Sequence, residues 1–456
     1  MPYKANFLDK HLGQPNVFYA IALLWASCIW YIGYSFGQKD FFRFFPFYTI
    51  AFAAWIWLFQ QDLSLRQLLG LSLFVRLGLL LAFPSLSDDI YRFFWDGRLI
   101  TSGVSPYGIL PTEALSKSIP LLDQTLFDQL NSPNYYTIYP PINQLYFAIS
   151  ALVGNIISAT MVMKILFIVT ETIGLLFMVK LLIKLEMKIN DAAIFVLNPL
   201  VIIEGVGNLH YEVIMLSLLC ISIYYIFNNK LLYGAGWMAI SIGIKLLPLM
   251  LLPYLWFRLP KDVKWKFFVY LTLFLLITFL PVINGIHFST FLESIDLYFR
   301  KFEFNASIYY LLRYIGQQIT GYNLIQYLGP ILGIATIGFN IYQATKSKTS
   351  SLQSFMQYAL MVWTAYLLLA TTVHPWYVMS ILFFSIFTSW KFSLVWSYLI
   401  ILSYVNYSFP SYYENMWWIS IEYTILLGWM GWEMRNRVIE ESSMTAKNIK
   451  TKDLLI

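Results

Sequence analysis

Long apolar stretches separated by short polar joints set the rhythm of this chain. Fourteen of them, at about 17–36, 44–59, 67–84, 162–182, 192–207, 212–228, 231–246, 247–257, 267–283, 323–343, 355–372, 376–389, 393–408 and 416–433, carry few charges. Most approach the roughly 20 residues that a helix needs to cross a bilayer. They are apolar on all faces, whereas a transmembrane β-strand would alternate apolar and polar positions, so the pattern predicts helices. The expected class is all-α, a polytopic membrane protein with about 13–14 transmembrane helices. Two further apolar stretches, 142–157 and 306–316, are short and start beside polar loops. They are expected to lie along the interface as juxtamembrane helices.

The distribution of positive charge supports that choice. With the N-terminus inside and the two interfacial segments not crossing, four basic clusters face the cytoplasm together. They are Lys180, Lys184 and Lys188; Arg258, Lys261, Lys264 and Lys266; Lys346 and Lys348; and Arg435, Arg437, Lys447, Lys450 and Lys452. That is what the positive-inside rule asks for. Counting 142–157 as a span would move the 180–188 cluster outside and invert everything after it.

Composition agrees with the pattern. Of 456 residues, 59% are hydrophobic and 12% charged, about half the charge fraction of a soluble domain. The net charge of +6 comes from basic residues scattered among the joints, so it reports membrane orientation and not a nucleic-acid-binding face. Cys28 and Cys220 both sit in apolar stretches, which argues against a disulfide framework or a cysteine metal cluster. The first stretch is too long for a signal-peptide core, and Trp25 spoils the lipoprotein-like Ala26-Ser27-Cys28, so it reads as a retained anchor.

This topology divides the chain into N-terminal membrane helices at 1–84 and a large extracytoplasmic loop at 85–161. A helical membrane core follows at 162–433, with a second outer loop at about 284–322, and a polar cytoplasmic tail closes the chain at 434–456, expected to be frayed. A loop as long as 85–161 between spans is seldom a plain connector. Its prolines, among them Pro106, Pro111, Pro140 and Pro141, predict short helices joined by turns.

Polar residues gather first at Ser87-Asp88-Asp89-Ile90-Tyr91-Arg92-Phe93-Phe94-Trp95-Asp96-Gly97-Arg98. On a helix, Asp89, Arg92 and Asp96 share one stripe, and Asp88 points about 100° away as the unpaired carboxylate. Helix capping explains any single acid at such a start. Several acids and arginines beside a bilayer are costly unless they meet a charged or hydroxylated ligand. Gly103-Val104-Ser105-Pro106-Tyr107 reads as a turn, and Tyr139-Pro140-Pro141 as a helix entry that can be purely structural. Glu204, Asn208, His210 and Glu212 follow at span ends, then Lys245, Arg313 and His374. A lone histidine or lysine there is more often a snorkelling group than a ligand. On the expected topology, however, Glu204, His210, Lys245, Arg313 and His374 all reach the side of Asp88, and that convergence predicts a site. No phosphate-cradling glycine loop and no H-E-x-x-H occurs.

Taken in order, these blocks resemble the bacterial mannosyltransferase-like members of the GT-C glycosyltransferase superfamily. The blocks are the run Ser87 to Arg98, Gly-Val-Ser-Pro-Tyr at 103–107, Tyr-Pro-Pro at 139–141, Asn-Pro-Leu-Val-Ile-Ile-Glu ending at Glu204 with Asn208 and His210, Lys-Leu-Leu-Pro at 245–248 and His-Pro-Trp-Tyr at 374–377. The resemblance runs from 76 to 377. It implies a polytopic, GT-C-like fold in the plasma membrane with its active site on the extracytoplasmic side. It also implies a hexosyltransferase that takes a hexose, mannose by preference, from a polyprenyl-phosphate donor, passes it to a lipid or glycan acceptor and inverts the anomeric centre.

In that family an acid of the first outer loop is the base. Asp88 matches the first acid, three residues before Tyr91, and Asp89 follows it. The donor phosphate or sugar would be held among Arg92, Arg98, Tyr139, Glu204, Asn208, His210, Lys245, Arg313 and His374. A lipid phosphate is already a competent leaving group, so one base for the incoming hydroxyl suffices. No cofactor is required, although a divalent ion between Asp88 and Asp89 is compatible with the sequence. An apolar groove would take the polyprenyl tail, and membrane lipids are the other partners. Two other classes compete. A transporter or flippase of lipid-linked sugars should show repeats and charges at the bilayer midplane, and an outer-surface glycan polymerase or ligase would not need the acidic block.

Overall fold

The computed structural model describes residues 15–283, 285–347, 349–409 and 413–453. Lys348 of the expected third basic cluster therefore lies outside the described residues. Among those described, helices carry the whole architecture, and the one β-type contact is an isolated bridge between Phe304 and Thr372. The all-α polytopic class is thus what the chain adopts. Among the described residues, four helices are long and apolar enough to cross a membrane singly: Pro15–Ser35, Gln38–Phe59, Ile156–Lys184 and Ile325–Lys346. A fifth candidate is bent, with Ile189–Val196 and Pro199–Gly207 meeting at 57°.

Several of the other apolar stretches become shorter or interrupted helices, and the interruptions have identifiable causes. Pro199 has no N–H to continue the preceding helix, and Asn198 caps the next one by accepting from the Leu200 N–H at 2.9 Å. The third stretch stops as a helix at Gly78. Beyond it, the fully buried Lys164 donates to the carbonyls of Leu79 and Ala82 at 2.9 and 2.6 Å. A cation at the carbonyl end of a helix is favourable, and here it lets the chain unwind into the turn that delivers Asp88 and Asp89. One helical turn earlier, Arg76 pairs with Glu171 at 2.7 Å, both buried. Arg76 also donates to the Val196 carbonyl at 2.9 Å, just before the bend.

Helix Glu212–Ile226 runs through the middle of the core and is buried at every residue except Tyr224 and Tyr225. A helix apolar on all sides fits such a position. Cys28 and Cys220 are free and buried. Residues 85–161 form the helices Asp89–Thr101, Pro111–Leu115, Gln124–Phe127 and Pro141–Ala151. The first and last cross at Gly97, where a Cβ would come within 2.4 Å of the Phe147 carbonyl oxygen, so only glycine allows the approach. Pro141–Ala151 has 11 residues and Ile308–Thr320 has 13, roughly 16 and 20 Å of helix, short of a bilayer core. Helix Gly285–Lys301 lies over the 85–161 segment: Thr290 donates to the Tyr107 carbonyl at 2.6 Å and Ser294 to that of Tyr136 at 3.3 Å.

Helix Met416–Asp453 extends into the 434–456 segment, and residues 454–456 lie outside the described residues. Two of the basic clusters meet, since Arg258 donates to the Ala344 carbonyl at 2.8 Å beside Lys346.

Candidate active site

The acidic pair sits where the chain re-enters a helix. Ser87 supplies the capping oxygen, accepting from the Asp89 N–H at 3.3 Å, and Asp88 at the cap position makes no side-chain capping bond. The Asp88 side chain is exposed and makes no hydrogen bond or ion pair among the described residues, while its backbone carbonyl accepts from the Tyr91 N–H at 3.2 Å. Simple capping therefore does not account for it. Asp89 is more enclosed. Its Oδ1 accepts from Asn131 at 2.9 Å, the Tyr139 hydroxyl reaches it, and its Oδ2 lies 4.0 Å from His210 Nδ1. Burial raises the Asp89 carboxyl above the usual carboxylate range, opposed mainly by Asn131 and the Lys245 charge.

Below Asp89 the bent helix pair ends in a π-type turn, Ile203–Gly207, a distortion often found at functional sites. It turns the fully buried Glu204 toward His210, whose Nε2 lies 3.3 Å from Glu204 Oε2. Tyr404 holds the other carboxylate oxygen at 2.8 Å. The His210 ring stacks on Trp376 with centroids 3.5 Å apart, Trp376 stacks on His374 at 4.4 Å, and His374 on Phe304 at 4.6 Å. The column is fixed at its far end because the Phe304 carbonyl accepts from the Val373 N–H at 2.8 Å. Burial and then Lys245 pull the His374 imidazole down to about 3, so it is neutral, and its Nδ1 has no partner among the described residues. Lys245 leaves the end of helix Leu231–Ile244, pairs with the buried Glu212 and lies 5.4 Å from the Tyr377 ring centre.

The fold thus assembles Asp88, Asp89, Tyr139, Glu204, His210, Lys245 and His374 in one neighbourhood. Other expected ligands do different work. Arg92 is buried, bonded to Asp96 at 2.8 Å and to the Ser132 and Tyr135 carbonyls at 3.0 Å, so it pins the loop that carries Asn131. The expected stripe of Asp89, Arg92 and Asp96 is therefore a buried Arg92–Asp96 pair with Asp89 turned elsewhere. Arg98 donates to the carbonyls of Pro120 and Ala151 and holds a helix end. Asn208 accepts from the Leu86 N–H at 3.0 Å and donates to the Ile203 carbonyl at 2.8 Å, tying the turn before the acids to the π-type turn. Arg313 pairs with Glu303 at 2.6 Å, next to Phe304, and makes no contact with the acids.

Glu212, Trp376 and Tyr404 complete the neighbourhood and were not among the expected ligands. Glu212 could have been found as a carboxylate inside an apolar helix, and Trp376 within His-Pro-Trp-Tyr. Nothing in the sequence distinguishes Tyr404 from the many interfacial tyrosines. Among the described residues no group of three or more His, Cys, Asp or Glu side chains could hold a metal, so Asp88 and Asp89 would supply two ligands at most. A groove of about 480 Å3 opens between the 103–107 turn and helix Pro141–Ala151, walled mainly by apolar atoms of Ile100, Val104, Pro106, Leu145 and Ala148.

Residues 44–259 match the MptA_B family, described as "Alpha-(1->6)-mannopyranosyltransferase, N-terminal domain". The match contains both acids, Glu204, His210 and Lys245, and stops before Arg313 and His374. A curated relative, alpha-(1->6)-mannopyranosyltransferase A of Mycobacterium tuberculosis, is 25% identical over 193 residues, which are 40% of this chain and 35% of that protein. The matched part thus spans about a third of the relative's length. No solved structure matches the chain. The resemblance to GT-C mannosyltransferase-like proteins is borne out by the family match and this relative.

Proposed function

From that likeness we propose that the protein is a membrane hexosyltransferase. It moves mannose from a polyprenyl-phosphate donor to a lipid or glycan acceptor on the extracytoplasmic face of the plasma membrane. The observation that carries the reading is the meeting of Asp89, His210 and the Lys245–Glu212 pair, brought together from the 89, 210–212 and 245 stretches of the family-matched segment. A carboxylate of the Asp88–Asp89 pair takes the proton of the acceptor hydroxyl as its oxygen attacks the anomeric carbon. The lipid phosphate departs from the opposite side, which inverts that centre. Lys245 meets the charge that grows on the phosphate and exchanges Glu212 for it. The apolar groove beside the 103–107 turn suits an isoprenoid chain. The α-(1→6) linkage is the one in the relative's name, and we extend it to this chain.

The direct test is transfer by the purified protein in lipid nanodiscs, supplied with radiolabelled polyprenyl-phosphate mannose and a membrane glycolipid extract. Labelled product is expected, and none with a nucleotide-sugar donor alone. Absence of transfer from the lipid donor would overturn the reading. Orientation has its own test. A cysteine replacing Asn134, which is exposed, should react with an impermeant thiol reagent on intact cells, and one replacing Lys188 should not. The buried native cysteines leave little background. The reverse labelling would invert the topology.

A further inference from the structure

We propose that His210 and Glu204 are positioning residues for Asp89, forming a proton relay that makes Asp89, and not Asp88, the base of the transfer reaction. The inference rests on the function proposed above and assigns roles within that same site.

The geometry has three parts. Glu204 Oε2 and His210 Nε2 lie 3.3 Å apart, both groups are at least nine-tenths buried, and neither atom has a hydrogen-bond partner within the described residues. Unpartnered buried polar atoms are costly. Two of them facing each other are one small ring rotation from a bond. Second, the opposite ring nitrogen points at Asp89 Oδ2, 4.0 Å away. Catalytic hydrogen bonds are often long before substrate binds and tighten in the complex. Third, the ring cannot swing out of this line, because Trp376 is stacked on its face at 3.5 Å and 15°. Tyr404 anchors Glu204 from behind. Asp88 has no comparable support.

The proton is accounted for at every step. The acceptor O–H bond breaks as the bond from its oxygen to the anomeric carbon forms, and the carbon–phosphate-oxygen bond leaves with its electron pair on the phosphate. Asp89 receives the proton, passes it to His210 Nδ1, and Nε2–H is given up to Glu204. Asp89 is again a carboxylate, Glu204 is neutral, and the proton returns by the same path to solvent once products leave. The charged and titratable groups around the His210 ring are Asp89, Glu204, Lys245 and His374. Of these only Glu204 faces Nε2 at bonding distance.

Glu204→Gln keeps the shape and the Tyr404 contact but cannot take a proton. His210→Gln removes the relay centre. Each is expected to lower kcat by on the order of 10- to 100-fold with KM within about twofold, and to move the acid limb of the kcat–pH profile. In an Asp89→Asn background neither should cost more, since the relay would have nothing left to serve. Melting temperature in nanodiscs checks folding, and if His210→Gln is unstable the isosteric Glu204→Gln carries the test. Full kcat in Glu204→Gln, or losses that multiply with that of Asp89→Asn, would overturn the relay and leave the transferase reading intact. Failure of the wild-type protein to transfer from the lipid donor would overturn both.

Discussion

Exchanging both acids for asparagine, as Asp88→Asn/Asp89→Asn, is expected to abolish sugar transfer, a loss of about 10³-fold or more, while the protein should remain inserted and folded. The fold should tolerate the change because neither acid holds the helix start together: Ser87 Oγ already accepts from the Asp89 N–H, and Asp88 makes no capping bond. Asparagine is close in shape but is not a base. The single variants then separate the pair. Sequence reasoning favours Asp88, since it falls off the charged stripe. The surroundings of Asp89, bonded to Asn131 and aligned with His210, favour Asp89. Asp89→Asn should account for most of the loss, and Asp88→Asn for about tenfold through weaker acceptor binding. Transfer at the wild-type rate by the double variant, measured with labelled lipid donor, would remove the chemistry on which every other assignment depends.

The second large effect concerns stability. Arg76→Met leaves Glu171 buried without its cation and should destabilise the protein by about 3–5 kcal/mol, whereas Arg76→Met/Glu171→Met should recover most of that. Arg76 gives Glu171 both Nε and Nη2, at 3.0 and 2.7 Å, and ties Ser72 and the Val196 carbonyl into the same knot. Thermal unfolding in detergent, followed by the monomer peak in gel filtration, reads the difference. Equal melting temperatures for the single and double variants would show that the pair is not coupled. The knot bears on function because Val196 immediately precedes the bend that leads to Glu204.

The membrane class was legible because it follows from composition and apolar runs alone: a chain this poor in charge has no other way to satisfy its backbone in hydrocarbon. The acidic run, Glu204, His210 and Lys245 were legible because a charge at a span end is expensive and so stands out. The same reasoning could not separate ligands from struts. Arg92 and Arg98 look like phosphate binders in sequence, and their guanidinium groups are committed to Asp96 and to backbone carbonyls. Arg313 reaches Glu303 and not the acids. A guanidinium has enough donors to serve either purpose, and the choice depends on which carbonyls come near.

What the sequence by itself determined is the solvent and the helical class, and it marked the residues whose charge is costly beside a bilayer. Each depends on the transfer energy of a side chain, which local sequence largely fixes. Tertiary structure alone decided where apolar stretches break, which acid is enclosed and which histidine is clamped. The carbonyls freed after Gly78 take Lys164 from a distant helix, the bend at Pro199 is followed by a π-type turn, and Trp376 meets His210 only once the chain packs. A buried polar group takes whatever partner the packed chain brings within about 3 Å, and that distance is not encoded in the order of residues.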